Sequence, residues 1–401
     1  MASKKKSKFS LPGFRFAGVS AGIKGKGKPD LALIVSDRPA KAVAFFTVNR
    51  LKAAPIIQGQ RAIRGGSLRA VVVNAGNANA ATGKQGIRDA FATAQAAAKL
   101  LKISPNEVLV SSTGKIGVPL DMKKIRRGLP AAAKALSSDG LAQAARAILT
   151  TDAFPKTHAV TGKIQGKSFR VVGVAKGAGM IEPHMATMLA YILTDLDLER
   201  GAMRWAFRRA VEASFHSITV DGDTSTNDTA LLLANGASGI SALRESSAGF
   251  AAFRRALDEV CRTLALKMVQ DGEGATKEVE IFVRGAKTER AAKRVAYAIA
   301  RSQLVKTSFF GEDPNWGRVF AAAGYSGETF DPSRVDIYYG SVPLVRGGSP
   351  TGAAREAQAH REMRKSRFRV TVDLKAGRGQ AQVWTSDLTY GYVKINAEYR
   401  T

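Results

Sequence analysis

Between Lys176 and Asp195 a loop loosened by Gly177, Gly179 and Pro183 runs directly into the apolar series Met188, Leu189, Ala190, Tyr191, Ile192 and Leu193. Turn residues followed by such a run read as a loop feeding a core strand. At the junction stands Thr187, between the small Ala186 and Met188. A threonine hydroxyl is a weak nucleophile, but cutting the peptide bond before Thr187 would put a free α-amine on the same residue. With a reference pKa near ~8, that amine serves as a general base at neutral pH, which is how N-terminal threonines are activated. The same pattern also describes an ordinary turn ahead of a core strand, with Thr187 inert, and the local residues by themselves favour that plainer reading.

The remaining periodicities place this junction inside a mixed chain. Residues 14–17, 31–36, 42–48 and 69–74 read as strands, with a polar loop at 22–29. Ile87, Ala90, Phe91, Ala94, Ala98 and Leu101 recur at helical spacing and predict a helix over 87–101. A strand at 107–111 follows, then helices at 130–136, with Pro130 in the first turn, and at 141–149. A loop carrying Thr150, Thr151 and Asp152 and a strand at 169–175 lead to the junction. Beyond it the pattern predicts a strand at 188–196, a helix at 199–215, a polar loop at 221–228 and a strand at 229–234. A helix over 250–269 stops at Gly272 and Gly274. A strand at 278–283, a helix at 289–303 and β-rich runs at 335–339, 368–374, 380–385 and 392–396 complete the chain. No repeat of solenoid period interrupts it. Strands and helices on both sides of Thr187 predict an α+β fold in layers, preceded by a basic tail over 1–10 without fixed structure.

Charge raises another class of function. The chain has 61 Lys+Arg against 33 Asp+Glu, a net charge of +28, which would suit a phosphate backbone. Yet the basic residues are spread along the whole length, and aromatics, at 7%, do not alternate with them as a stacking platform requires. The charge reads as a solvated surface that draws anionic metabolites, with no nucleic-acid partner. No apolar run reaches the ~18 residues of a membrane span. The single cysteine, Cys261, forms no internal disulfide, and the expected compartment is the cytoplasm.

Several local patterns fail their structural context. The loop from Asp221 to Asp228 has a calcium-loop look but lacks the glycine and the closing glutamate, where Leu232 stands. His158, His184, His216 and His360 have no paired metal-ligand spacing, so no metal site is expected. Gly18 to Gly22 fits a nucleophile elbow, but a Gly/Lys-rich stretch follows where a helix should start. Gly22 to Lys28 nearly makes a phosphate loop, except that Pro29 replaces the Ser/Thr. Thr113 and Gly114 follow a predicted strand, in a loop where backbone N–H groups can point outward, and the sequence by itself favours a plain strand-to-helix turn there.

Five further blocks stand in order along the chain: Asn74 to Ala80 (NAGNANA), Ser112 to Gly117 (STGKIG), Thr219 to Asp228 (TVDGDTSTND), Phe310 to Arg318 (FGEDPNWGR) and Ile395 to Thr401 (INAEYRT). With the stretch around Ala186 and Thr187, they make nearly the whole chain resemble the ornithine acetyltransferase (glutamate N-acetyltransferase) family of arginine biosynthesis. The resemblance implies a precursor that cuts itself between Ala186 and Thr187 into an α chain, 11–186 after the tail, and a β chain, 187–401. It implies an α/β/β/α sandwich built by both halves. It also implies transfer of acetyl from N2-acetyl-L-ornithine to L-glutamate in a ping-pong sequence through an ester on Thr187. Thr113 and Gly114 then match the oxyanion hole. Thr151 (Thr150 being the alternative), Lys176, Thr187, Glu273, Asn396 and Thr401 match substrate-binding positions. Lys115 departs from the apolar residue expected after the Thr-Gly pair. No cofactor is implied, acetyl-CoA remains open as a second donor, and the α and β chains would assemble as a heterotetramer. The rival reading is an amidohydrolase or aminopeptidase that passes the same acyl group to water.

Self-cleavage before Thr187 should convert the 42.6 kDa chain into pieces of about 20 and 23 kDa on a denaturing gel. A single intact band from fully active protein would refute it, since the freed amine is the base.

Overall fold

The computed structural model describes residues 9–182 and 188–398. Ala186, Thr187 and Thr401 lie outside the described residues. One sheet contains β1 (Phe14–Val19), β2 (Leu31–Phe46), β3 (Ser67–Asn77), β4 (Val108–Lys115), β5 (Lys156–Ile164), β6 (Lys167–Lys176), β7 (Leu189–Thr194) and β9 (Thr229–Ala234). Its order is β4-β3-β2-β9-β7-β6-β5, with β1 on β2. A second sheet, in the order β13-β12-β11-β14-β10-β15-β8, uses β8 (Ile218–Thr219), β10 (Glu278–Ala286), β11 (Asp336–Tyr339), β12 (Val342–Arg346), β13 (Ser349–Pro350), β14 (Arg367–Asp373) and β15 (Gly379–Ser386).

The first sheet is folded over the middle of β2 so that its halves face each other. Two strands were expected over 31–48. The structure has one 16-residue strand whose pairing slips between Val35 and Ala40, where Pro39 offers no N–H to the ladder. Its first half pairs with β1 and β3, its second with β9. The alternation of side chains then sorts three apolar layers. Leu31, Leu33, Ala70 and Val72 face outward onto α2 (Gly83–Leu101) and α3 (Met122–Lys134). Ala32, Ile34, Val71 and Val73 face inward and meet Leu189, Tyr191, Leu193, Leu231 and Leu233 of the other half. Ala190, Ile192 and Leu232 point the opposite way, onto α5 (Arg200–Ala213) and α6 (Phe250–Gln270). Each fully buried Leu, Ile or Val contributes about 1.5–3 kcal/mol from its removal from water. The result is the α/β/β/α sandwich, and both halves of the chain build it: β1–β6 precede residue 187, β7 and β9 follow it.

The second sheet lies wholly after residue 187. Val279, Ile281, Val370, Val372 and Val383 pack beneath α7 (Glu289–Arg301) and α8 (Gln303–Phe310). Trp384 of β15 instead enters the core around α6, with the Arg262 guanidinium 5.1 Å from its ring centre, and so ties the second sheet to the sandwich.

Several expectations need correction. Ser10, placed in the unstructured tail, is buried, and its carbonyl accepts from Arg170. Pro130 lies inside α3 rather than at its start, because the Asp121 carboxylate caps the N–H groups of Lys123 and Lys124 and begins the helix earlier. Thr113 and Gly114 lie in the paired end of β4, opposite Ala75 and Gly76 of β3, not in a loop. The β-rich run at 392–396 is helical, in α11 (Tyr390–Glu398), where the Thr389 hydroxyl accepts from Tyr392 N–H and donates to the Gly274 carbonyl. The helix expected at 141–149 is α4 (Leu141–Ala147), whereas strands β5, β8, β12 and β13, and helices α1 (Ala54–Ala62), α9 (Trp316–Gly324) and α10 (Ala353–Met363), had no counterpart in the sequence reading. No described helix is long and apolar enough to cross a membrane.

Lys306 on α8 is fully buried and donates to Thr385 Oγ1 at 3.1 Å, Ser386 Oγ at 3.2 Å and the Ser386 carbonyl. Burial lowers its pKa to about 7, against the attraction of Asp387 and Asp221. Between that value and the ordinary lysine pKa the unfolded chain binds the extra proton, so stability rises with pH across this window. Wild-type protein should gain about 1–2 kcal/mol more than Lys306→Met between pH 7 and 8.5 in urea unfolding. Parallel pH dependences would mean that Lys306 keeps its proton when folded.

Candidate active site

Lys176 ends β6, where it pairs with Leu189 at the start of β7, two residues after Thr187. Its side chain is buried, and the ammonium donates to Thr150 Oγ1 at 2.8 Å and Thr113 Oγ1 at 3.3 Å. The Asp152 carboxylate lies 3.6 Å away. Burial pushes the Lys176 pKa down, and Asp152 and Glu273 act against that.

Asp152 is the centre of the charge arrangement. One oxygen accepts from Lys156 Nζ and from Gly177 N–H, both at 2.7 Å, and the other accepts from Thr150 N–H at 2.9 Å. Burial alone would raise this carboxyl, but the Lys176 and Lys156 ammoniums hold it well below the usual carboxylate range. Lys156, also fully buried, reaches Asp271 at 2.5 Å, and Asp271 accepts from Ala153 N–H. The chain Lys176–Asp152–Lys156–Asp271 therefore alternates in sign from the end of β6 to the end of α6.

On the opposite side β4 presents Thr113 and Gly114. A Cβ on Gly114 would stand 2.4 Å from the Gly76 carbonyl carbon, and its φ is +129°, so close backbone approach and dihedral both demand glycine. Asn227 fastens the region by donating to the Ala78 and Ser112 carbonyls at 2.7 and 2.9 Å. The Met188 N–H, the first described group after Thr187, donates to Asp228 Oδ1 at 3.0 Å. Asp228 is fully buried, and that burial raises its pKa well above the usual range.

Glu273 and Asn396 meet each other, Asn396 Nδ2 donating to Glu273 Oε2 at 2.8 Å. The Glu273 N–H donates to the Ala178 carbonyl, and its carboxylate fills the space where Gly179 would carry a Cβ, 2.5 Å away. Of the residues singled out from sequence, Lys176 and Thr113 touch directly, and Thr150 rather than Thr151 is the second hydroxyl on the Lys176 ammonium. Asp152, Lys156, Asp271 and Asp228 were not singled out. The proximity of Asp152 to Thr151 was a usable signal. Nothing local marks Lys156 or Asp271, which are 115 residues apart. Among the described residues no group of three His, Cys, Asp or Glu side chains is placed to hold a metal.

The ArgJ family model matches residues 15–401. The arginine biosynthesis bifunctional proteins of Geobacter sulfurreducens and Symbiobacterium thermophilum are 52% and 50% identical to this chain, over 98% and 97% of it and 100% and 97% of their own lengths. Among solved structures, that of the arginine biosynthesis bifunctional protein of Bacillus halodurans is 38% identical with a TM-score of 0.50, covering 52% of this chain and 98% of the solved one.

Asp152→Asn keeps an oxygen for Gly177 N–H but leaves Lys156 with Asp271 alone and the buried Lys176 ammonium without its ion-pair partner. The expected cost is about 3–5 kcal/mol, as for other buried pairs that lose one partner, read as a lower urea midpoint. An unchanged midpoint would remove Asp152 from the centre of the network.

Proposed function

Because this chain belongs to the ArgJ family and is an acyltransferase of arginine biosynthesis, we propose that it moves acetyl from N2-acetyl-L-ornithine to L-glutamate through Thr187, freed by cleavage after Ala186. The observation that carries this reading is the buried Lys176 ammonium, held between Thr113 and Thr150 at the end of β6, where Lys176 pairs with Leu189, two residues along the chain from Thr187. A buried cation suits the α-carboxylate that donor and acceptor share.

The steps balance without a cofactor. In self-cleavage the Thr187 hydroxyl attacks the Ala186 carbonyl, the peptide nitrogen leaves as the new amine, and water hydrolyses the resulting ester. In turnover that amine takes the hydroxyl proton as Oγ attacks the acetyl carbonyl. Backbone N–H donors at Thr113 and Gly114 face the developing oxyanion, a contribution worth about 2.7–4 kcal/mol per donor in such sites. The nitrogen of ornithine leaves with the proton, and an acetyl ester remains on Thr187. The glutamate amine then attacks that ester and restores the hydroxyl. Glu273, steadied by Asn396, offers a carboxylate to the ornithine side-chain ammonium, and Thr151 and Thr401 complete the substrate contacts. Paired α and β chains form the working unit, a heterotetramer in the cytoplasm, and acetyl-CoA is a second donor to be compared in the same assay.

Mixing with acetylornithine alone should add roughly 42 Da, one acetyl replacing hydrogen, to the piece that begins at Thr187. Initial rates with both substrates should give parallel double-reciprocal lines. Thr187→Ala should abolish cleavage and turnover, and Thr187→Ser should keep a weakened form of both, because serine lacks the methyl that restricts χ1. Intersecting lines with no acetylated piece would replace this sequence by direct transfer. Acetate release independent of glutamate would make the protein a hydrolase.

A further inference from the structure

The loop after β1 carries a second lysine to the same site. Asp30, fully buried, accepts from the backbone N–H groups of Ala21, Ile23 and Lys24 at 2.6, 2.5 and 2.9 Å. One carboxylate thus shapes the turn that failed as a phosphate loop, and it fixes the direction in which Lys24 leaves it. The Lys24 stem then crosses Gly76: a Cβ there would stand 2.7 Å from Lys24 Cγ, and the φ of Gly76 is +101°. The other side of Gly76 is the backbone that Gly114 approaches. Lys24 therefore passes directly over the strand pair that presents Thr113 and Gly114.

The ammonium of Lys24 ends on the Leu149 carbonyl at 2.9 Å, one peptide bond from Thr150, whose hydroxyl accepts from Lys176. Two cations thus flank one threonine, but their circumstances differ. Lys176 is buried and has Asp152 and two hydroxyls. Lys24 is half-buried, and among the described residues its ammonium donates a single hydrogen bond. Both Asp30 oxygens are taken by backbone N–H groups. Burial lowers the Lys24 pKa, Asp30 and Asp152 act against this, and Lys176 adds to the lowering. An anion placed between the two lysines would relieve their mutual repulsion and occupy the remaining protons of Lys24.

The two substrates of the proposed reaction differ in the group this arrangement recognises. Ornithine carries one carboxylate and a side-chain ammonium, which Glu273 suits; glutamate carries two carboxylates. We propose that Lys24 is a specificity residue of the acceptor step, receiving the side-chain carboxylate of glutamate while Lys176 holds its α-carboxylate. This rests on the acetyl-transfer reading above. It makes the site two-signed, with a lysine for the acceptor's side chain and a glutamate for the donor's.

The test compares glutamate with glutamine, its neutral near-isostere, as acceptor for protein acetylated by acetylornithine. The readout is the ratio of the two kcat/KM values within each variant, which cancels losses in folding or in the donor step. Wild type should favour glutamate strongly. Lys24→Met should lower the ratio by about tenfold or more, since a buried polar contact is then missing for the charged acceptor only. Lys24→Arg, which keeps the charge, should retain the preference. A ratio within about twofold of wild type in Lys24→Met, or no preference in wild type, overturns the assignment and leaves the acetyl-transfer reading standing. Failure of wild-type protein to form the acetylated piece sinks both.

Discussion

Everything at the site depends on keeping a lysine charged where water does not reach it. Taking an ammonium out of water costs several kcal/mol unless nearby charges and hydrogen bonds compensate. Lys176 meets that cost through Asp152, which in turn needs Lys156, which needs Asp271. The links come from β6, from the loop ahead of β5, from the first residue of β5 and from the end of α6. None of these segments can bury its charge before the others dock, so a local requirement of the site becomes a requirement on the whole sandwich. The chain of charges also crosses residue 187, since Asp271 follows it and the others precede it. A cut there leaves two pieces joined by this network and by the β6–β7 and β2–β9 ladders.

Backbone proximity is the second constraint. Gly76 and Gly114 let β3 and β4 approach at their ends more closely than any Cβ permits, and Gly76 also admits the Lys24 stem. At these two glycines the end of β4 and the stem of Lys24 both come against the backbone of β3. Gly179 does the same for Glu273, so the negative side of the site is also set by the absence of a side chain.

The second sheet, built wholly from residues after 187, serves the site through its connections rather than its face. The turn after α6 carries Glu273, and α11, which follows β15, brings Asn396 back to it. The Thr389 hydroxyl links these two segments by capping one and binding the carbonyl of the other. The Glu273–Asn396 contact therefore depends on a sheet that lies outside the sandwich.

Periodicity was enough to find most core strands and the long helices, because burial of one face writes itself into spacing: Ile87 to Leu101 and the apolar run from Thr229 to Ala234 are direct examples. The family resemblance of the sequence blocks also pointed to Thr113, Lys176, Glu273 and Asn396, and the structure brings Lys176 onto Thr113 and Asn396 onto Glu273. What spacing could not carry was pairing over long separations. Nothing near Lys156 states that Asp271 will be its partner, and nothing near Lys24 states that it will end beside Thr150. The run at 392–396 has strand-like composition but becomes a helix, because a cap at Thr389 and a contact at Glu273 outweigh weak local preference. Residues 31–48 likewise form one bent strand, a choice made by two different neighbours, β3 and β9, that the segment alone does not contain. Local chemistry determined which side chains were able to act, and only tertiary packing, by burying charges that require partners, decided which of them meet.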